Sequence, residues 1–144
     1  MSRNADPIPA AAPDFDALFS AAAAAQARAY APYSRFKVGA ALIADDGAVY
    51  AGCNVENAAY PSGSCAEQGA ISAMIAGGGR AIMALVVHGE GEELVTPCGA
   101  CRQRIREFAQ SDMPVAIAGP EGIRARFSLS ALLPASFGPA NLRR

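Results

Sequence analysis

The chain has 144 residues, 52% of them hydrophobic, and a formal net charge of −1 at pH 7. This length corresponds to one domain, and the hydrophobic fraction is sufficient for a core and for a subunit interface in addition. A net charge so close to zero shows no electrostatic footprint of nucleic-acid binding, which favours a small free substrate over a polynucleotide.

Residues 1–12 are predicted to form a disordered leader rich in Ala and Pro, followed by a single domain over residues 13–144. The leader lacks the basic start and long apolar run of an export signal. No segment approaches the roughly 18 uninterrupted apolar residues that suggest a membrane helix. We therefore expect no membrane association and a cytoplasmic location, where cysteines bind metals more often than they form disulfides.

Strands and helices alternate along the rest of the chain. The predicted elements are a helix from Pro13 and Asp14 to about Ala29, strands 36–44 and 48–53 around the turn Asp45-Asp46-Gly47, a helix at 65–76, a strand at 82–88, a helix at 96–109, a strand at 115–118 and a short helix at 128–133. This order, with a hairpin first, predicts an α/β fold in which helices cover the faces of a mixed sheet.

Two short cysteine motifs carry most of the functional information. Cys65-Ala66-Glu67 and Pro97-Cys98-Gly99-Ala100-Cys101 together offer three thiolates. A structural zinc site closes with four protein ligands, whereas a catalytic site keeps one position open for water. Three cysteines, with a glutamate two residues after the first, are typical of zinc-dependent deaminases. We therefore predict one catalytic zinc ion per subunit, held by Cys65, Cys98 and Cys101.

Other uses of the cysteines have weaker support. A redox role for Cys98 and Cys101 requires a thioredoxin-like context, whereas here Pro-Cys follows a predicted strand. A closed structural zinc site requires a fourth ligand, and the unused candidates are Cys53 and His88. Neither shows ligand spacing. We expect His88, at the end of a strand, to be partly exposed and without a functional role.

Glu67 is the predicted general acid and base. A glutamate in the first turn of a helix commonly stabilises the helix dipole, and that alternative stays open. Deamination of cytosine, however, requires a hydroxide at C4, a proton on N3 and a proton on the departing ammonia. One carboxylate beside the cysteines can carry all of these protons in sequence.

The cysteine motifs occur together with further recognisable segments. These are YAPYSRFKVGAA at 30–41, GCNVENAAYP at 52–61 and LLPASFGP at 132–139. On these features, in this order and at compatible spacings, the chain resembles the small homotetrameric cytidine deaminases from about Tyr30 to Leu142. The resemblance implies a three-layer α/β/α fold with a central mixed sheet of about five strands. It also implies a homotetramer with shared active sites.

The same resemblance implies a set of nucleoside contacts. Asn54 and Glu56 would bind the ribose hydroxyls, and a carboxylate there would repel a nearby phosphate and so favour nucleosides over nucleotides. The alternative for both side chains is a structural role, bonding the loop backbone or water. Phe36 would flank the pyrimidine, and Phe137 would reach in from a neighbouring subunit to stack on the base. The remaining implied contacts are Ala58 and Tyr60 from a neighbour, and the backbone of Ala66 and Thr96 at the polar edge of cytosine.

Gln68 departs from the pattern of the resembled family. In its three-cysteine branch an arginine commonly follows the glutamate and offsets the charge of the thiolates, but this chain has Gln68 at that position. We expect the Gln68 amide and Arg102 to contribute to the electrostatics of the metal site through hydrogen bonds to the sulfurs.

The function predicted from the sequence is zinc-dependent hydrolytic deamination of cytidine and deoxycytidine to uridine and deoxyuridine, with release of ammonia, in pyrimidine salvage. Two alternatives stay open. A related deaminase would act on a modified nucleoside or a nucleoside antibiotic, and a zinc-stabilised structural module would have lost catalysis. Glu67 disfavours the structural module, because a purely structural zinc site has no use for that carboxylate.

Overall fold

The computed structural model describes residues 13–143, which form an α/β fold. Helix α1 (Phe15–Ala27) begins after Asp14, whose carboxylate accepts a hydrogen bond from the Ala17 amide at 3.0 Å and so caps the helix. The elements that follow are strands β1 (Gly39–Ala44) and β2 (Val49–Cys53), helix α2 (Ala66–Ala76), strand β3 (Ile82–His88), helix α3 (Gly99–Phe108), strands β4 (Pro114–Gly119) and β5 (Gly122–Ser128), and helix α4 (Leu129–Leu132), with short 3-10 turns at Tyr60–Ser62 and Pro139–Asn141.

A five-stranded mixed sheet in the order β2-β1-β3-β4-β5 forms the middle of the fold. Strand β1 pairs antiparallel with β2 and β3, β3 pairs parallel with β4, and β4 pairs antiparallel with β5. A parallel pair requires a crossover connection, and α3 lies in the connection between β3 and β4. The central strands β1, β3 and β4 are apolar along most of their length because both of their faces are buried.

Helices cover both faces of the sheet. On one face, α1 packs Leu18 and Ala22 against small strand residues such as Ala41. On the other face, α2, α3 and α4 cover a larger core that includes Leu42 and Met74. Successive strand residues point to opposite faces, which is why Ala41 and Leu42 belong to different cores. The predicted three-layer α/β/α fold with a mixed sheet of about five strands is confirmed.

Glycine allows two helices to approach the sheet closely. A Cβ atom at Gly39 would overlap the Ala22 carbonyl oxygen of α1. A Cβ atom at Gly52 would lie 2.5 Å from the Ala66 carbonyl oxygen and would also overlap the Ala70 amide of α2. The backbone of α2 therefore rests directly on β2, and this contact sets the position of the first turn of α2.

The segment before β1 is a loop, which corrects the predicted start of that strand at residue 36. Asn54 Oδ1 accepts a hydrogen bond from the Val38 amide at 2.8 Å, and Asn54 Nδ2 donates to the Phe36 carbonyl at 2.8 Å. These backbone groups are therefore bound by a side chain instead of by a neighbouring strand, and β1 begins at Gly39.

Two further elements differ from the sequence prediction. Helix α3 begins at Gly99 rather than at residue 96, because Cys98 is its N-cap. Strand β5 is missing from the prediction, although apolar and arginine residues alternate along it with the period of a half-buried strand. The other helices and strands lie within a few residues of their predicted bounds.

His88 is buried, which corrects the expectation that it is partly exposed. The residue is 4% exposed, and its ring packs on Phe19 of α1 with the ring centroids 5.3 Å apart. Helix α1 thus covers the end of β3. Within residues 13–143 the Nδ1 atom of His88 has no hydrogen-bond partner, and burial lowers the pKa of this imidazole.

The expected leader, residues 1–12, lies outside the described residues. The assignment of residues 13–144 to a single domain stays a prediction. In the part of the chain that the structure describes, no helix combines the length and apolarity needed to span a bilayer.

We predict that Gly52→Ala destabilises the fold. The new methyl group meets backbone atoms of α2, which cannot move aside without shifting the helix, and such overpacking typically costs about 1–3 kcal/mol. Chemical denaturation of the zinc-loaded protein at fixed protein concentration measures the loss. Gly99→Ala is the matched control, because a Cβ atom there meets nothing within 4 Å. Equal stability of the two variants would contradict the close contact between α2 and β2.

We also predict that His88 makes stability depend on pH. Its pKa is lower in the folded protein than in the unfolded chain, so the unfolded state binds more protons between the two values. The contribution of His88 to stability is therefore fully present above the pKa of about 6.5 that it has in the unfolded chain. This contribution is lost as the pH falls through the lower pKa of His88 in the folded protein.

His88 is the sole histidine of the sequence, which allows a clean comparison. The free energy of unfolding is measured at several pH values between about 7 and 5 for the native protein and for His88→Leu. The native protein should lose more stability over this range, because the leucine variant lacks the titrating imidazole. Parallel curves for the two proteins would show that the buried ring does not resist protonation.

Candidate active site

A cavity of about 630 Å³ opens beside the N-terminal ends of α2 and α3. The residues that line the cavity belong to segments 33–38, 54–67 and 95–98, and Val87 of β3 completes the lining. The volume is typical of a pocket for a small molecule. Because two helices begin here, their partial positive charges favour anionic groups at this end of the cavity.

Three cysteine sulfurs meet at these helix ends. Cys65 is the N-cap of α2, Cys98 is the N-cap of α3, and Cys101 lies in the first turn of α3. The Sγ atoms of Cys65 and Cys98 are 3.9 Å apart, and all three Sγ atoms lie within 4.8 Å of one another. Cys65 and Cys98 line the cavity, whereas Cys101 is fully buried.

The arrangement of the sulfurs fits a zinc ion. Zn–S bonds of about 2.3 Å place two sulfurs of a tetrahedral site about 3.8 Å apart, which agrees with the 3.9 Å between Cys65 and Cys98. Burial raises the pKa of the Cys101 thiol, so that sulfur needs a cation to become a thiolate. Burial also raises the pKa of Cys98, but hydrogen bonds from the Cys101 amide and the neighbouring thiols outweigh it, so the pKa of Cys98 is lowered. Three protein ligands leave one position of a tetrahedral ion free.

Glu67 lies beside this cluster, in the first turn of α2. It is only 4% exposed, and it lines the cavity. Burial raises the pKa of its carboxyl group, an effect that its own amide and the charge of Arg104 partly oppose. A raised pKa brings the carboxyl closer to neutral pH, where it can both accept and release a proton.

Asn54 and Glu56 line the cavity and also hold its wall. Glu56 Oε1 accepts hydrogen bonds from the Tyr33 and Ser34 amides at 3.0 Å each, and Oε2 accepts one from the Ser34 hydroxyl. The Ser34 hydroxyl makes the largest contribution to lowering the pKa of Glu56, which keeps it a carboxylate at neutral pH. Both side chains therefore have the structural role named as the alternative. Each also keeps free hydrogen-bonding capacity for a ligand, because a carboxylate accepts about four bonds and an amide has two N–H groups.

The other predicted substrate contacts divide into two sets. Tyr60, Ala66 and Thr96 line the cavity. Phe36 and Ala58 are exposed and do not line the cavity. Val38, from the same loop as Phe36, lines it instead. A ligand in this cavity would thus meet Val38, Tyr60 and Thr96 from the same chain.

Phe137 lies away from the cavity of its own chain. It is 57% exposed and lines a separate depression with Gln103 and Glu107 of α3. Gln103 Nε2 donates to the Phe137 carbonyl at 2.8 Å, and Arg106 Nε donates to the Ser136 hydroxyl at 3.0 Å. The C-terminal segment is thereby fixed on α3 with the aromatic side chain largely exposed.

Within the described residues, neither Arg102 nor Gln68 donates a hydrogen bond to a cysteine sulfur. Arg102 donates to the Pro97 and Leu132 carbonyls at 2.7 Å each and to the Thr96 hydroxyl at 3.2 Å. Its guanidinium therefore ties the loop before α3 to α4. The hydrogen bonds to sulfur expected from the sequence are not made by these two residues.

Arg104 makes such a hydrogen bond instead, and the sequence interpretation missed it. Its Nη1 atom donates to Cys101 Sγ at 3.5 Å. The available signal was the spacing, because residues three apart share a helix face whereas adjacent residues do not. Arg104 is three residues after Cys101, and Arg102 is its immediate neighbour.

Three cysteine sulfurs that could hold a metal ion, with an adjacent buried carboxyl, form the arrangement that hydrolytic zinc enzymes use. The family model described as the cytidine and deoxycytidylate deaminase zinc-binding region matches residues 14–117. The chain therefore belongs to this family of zinc-dependent deaminases, and the predicted zinc cofactor is confirmed.

Individual relatives agree with this assignment. A cytidine deaminase of Sporosarcina psychrophila is 43% identical over 129 residues, which cover 90% of this chain and 95% of that protein. A cytidine deaminase of Mycobacterium tuberculosis is 43% identical over 132 residues, which cover 91% of this chain and 95% of that protein. Among solved structures, the cytidine deaminase from Burkholderia pseudomallei matches with a TM-score of 0.79 and 45% identity, covering 85% of this chain and 98% of that one. The resemblance stated from the sequence motifs is confirmed.

Proposed function

We propose that this protein catalyses the zinc-dependent hydrolytic deamination of cytidine and deoxycytidine to uridine and deoxyuridine, with release of ammonia. The observation that carries the proposal is the buried Glu67 carboxyl, which lines the cavity beside a cluster of three cysteine sulfurs. The relatives named as cytidine deaminases support the same substrate. We further propose that the enzyme acts in pyrimidine salvage in the cytoplasm.

Glu67 performs the proton transfers of the proposed reaction. When bound by the three cysteines, zinc would supply a Lewis acid that makes water reactive at neutral pH. The Glu67 carboxylate removes one proton as oxygen adds to C4 of the base and delivers that proton to N3. It then moves the second proton from the added oxygen to the amino group as the C4–N bond breaks. One water is consumed, ammonia leaves, and a carbonyl remains at C4.

The loop side chains support a nucleoside as the substrate. The Glu56 carboxylate accepts hydrogen bonds from ribose hydroxyls with its remaining capacity, and its charge would repel a phosphate placed nearby. Asn54 adds an N–H group beside it. We assign the backbone of Ala66 and Thr96 to the polar edge of the base, because both residues line the same cavity as Glu67.

The two alternative functions have less support. A deaminase of a modified nucleoside or nucleoside antibiotic would use the same chemistry, but Asn54, Glu56 and the named relatives favour ordinary nucleosides. A structural zinc module would not need a buried carboxyl that opens onto a cavity, and Glu67 is such a group.

An assay of four substrates tests the proposal. Purified zinc-loaded protein should deaminate cytidine and deoxycytidine. We expect kcat/KM to be at least about tenfold lower for cytosine, which lacks the ribose, and for CMP, whose phosphate is repelled by Glu56. Loss of the cytosine absorbance follows the reaction. In the control, Glu67→Gln should keep its zinc and lose roughly 10²–10⁴-fold or more in kcat, because general acid–base catalysis is removed. A variant that retains more than about a tenth of the native rate would exclude Glu67 as the proton carrier.

We further propose a homotetramer in which neighbouring subunits share each active site. Large apolar side chains are exposed around the cavity and on the C-terminal segment, which is typical of interaction surfaces. They are Tyr30, Tyr33, Phe36, Val55, Tyr60 and Phe137. Tyr33 and Tyr60 pack edge to face with ring centroids 6.0 Å apart, which gives this surface a fixed shape. Because Phe137 is held outside its own cavity, it is available to stack on the base in the cavity of a neighbour.

Mixing two defective variants tests the sharing of sites. Glu67→Gln removes the proton carrier from one half of each site, and Phe137→Ala removes the stacking ring from the other half. After the subunits are dissociated and reassembled at equal amounts, about a quarter of the sites should combine two native halves and recover activity.

The control mixture joins Glu67→Gln with Cys98→Ser. Both changes affect the same half, so no site regains both groups and activity stays at the level of the separate variants. Absence of recovery in the first mixture, with tetramers present by light scattering, would contradict shared sites. A fully active monomer would contradict the tetramer itself.

A further inference from the structure

The charges at the three-cysteine site do not balance by themselves. Three thiolates and one Zn²⁺ leave a formal charge of about −1 at the partly buried cluster. The two helix N-termini offset part of this charge. A full positive charge beside the sulfurs would offset the rest, and Cys101 is the sulfur that most needs it because it is fully buried.

The three arginines of α3 differ in what they bind. Arg102 donates to two carbonyls and a hydroxyl, and Arg106 donates to the Ser136 hydroxyl. Arg104 is solvent-exposed. Within residues 13–143, its side chain donates one hydrogen bond, and the acceptor is Cys101 Sγ. Charge-assisted hydrogen bonds of this kind are stronger than neutral ones.

Arg104 approaches the cluster from outside the cavity. Neither Arg104 nor Cys101 belongs to the cavity lining, whereas Cys65, Cys98 and Glu67 do. A substrate in the cavity therefore meets the other two sulfurs, and the guanidinium contacts the third sulfur from another side. Arg104 is for that reason a positioning residue and not a contact of the substrate.

We propose that Arg104 compensates the charge of the three-thiolate zinc site and holds the Cys101 sulfur in its ligating position. The hydrogen bond draws electron density from the sulfur, which limits donation to the metal and stabilises the cluster that zinc would complete. The proposal rests on the zinc site of the proposed deaminase, but its test measures metal binding and does not depend on the identity of the substrate.

The first experiment measures the zinc affinity of four proteins. The native protein, Arg104→Gln, Arg104→Lys and Arg126→Gln compete for zinc with a chromophoric chelator at neutral pH. Arg126 is the matched control, because it loses the same charge on β5, where its guanidinium lies over the Phe15 ring at 4.3 Å.

Arg104→Gln should bind zinc about tenfold or more weakly, the size expected when a partner of a metal ligand is removed. Arg104→Lys should fall between that variant and the native protein, and Arg126→Gln should match the native protein. A dissociation constant of Arg104→Gln within about twofold of the native value would overturn the proposal. An equal loss in Arg126→Gln would also overturn it, because net charge alone would then explain the change.

The second experiment measures a spectroscopic property that would not change if Arg104 had only a structural role. In protein loaded with Co²⁺ in place of zinc, the sulfur-to-metal charge-transfer band reports the electron density on the thiolates. Loss of the hydrogen bond in Arg104→Gln should shift this band to lower energy, with circular dichroism of the metal-loaded protein unchanged. An unshifted band in the folded variant would show that the guanidinium does not act on the sulfur.

Discussion

The convergence of two helix N-termini at one end of the sheet is the constraint on which the site depends. Cys65 and Cys98 are N-cap residues of α2 and α3, so the distance between their sulfurs is set by how the two helices sit on the sheet. That distance is 3.9 Å, which suits one zinc ion. Helix α2 is fixed through its backbone contact with Gly52 of β2. The packing of helix on strand thus determines the geometry of the metal ligands, although Gly52 takes no part in the chemistry.

The side chains that build the polar wall of the cavity are also those to which we assign recognition of the ribose. Asn54 binds the backbone of Phe36 and Val38, and Glu56 binds the amides of Tyr33 and Ser34. Each bond to the loop also fixes the orientation of the side chain that would meet the ribose. A hydroxyl of the ligand then finds an acceptor that is already ionised and aimed, which reduces the entropy lost on binding.

The parts predictable from the sequence are those with a local chemical or periodic signal. Cysteine spacing with Glu67 indicates the zinc site, and the apolar run at 82–88 indicates β3. The helical spacing of apolar residues up to Gly77 indicates α2. Contacts between distant segments have no such signal. The burial of His88 depends on Phe19 arriving from α1, and the loop before β1 depends on Asn54. Neither the burial of His88 nor the loop before β1 can be predicted from a local sequence pattern. Strand β5 is a different case, because its alternation is present in the sequence but short.

Burial sets two opposing demands at the active site. A low exposure raises the pKa of Glu67, which suits a group that must accept and release protons near neutral pH. The same burial disfavours the thiolates that the metal requires, most strongly at Cys101. A cation near the sulfurs helps the thiolates but also lowers the pKa of Glu67, as Arg104 does to a limited extent. A guanidinium that contacts Cys101 from outside the cavity, and that remains exposed to solvent, is a compromise between these demands. An exposed charge acts through a higher effective dielectric constant, which weakens its effect on Glu67, whereas the hydrogen bond to Cys101 Sγ is a direct contact at 3.5 Å.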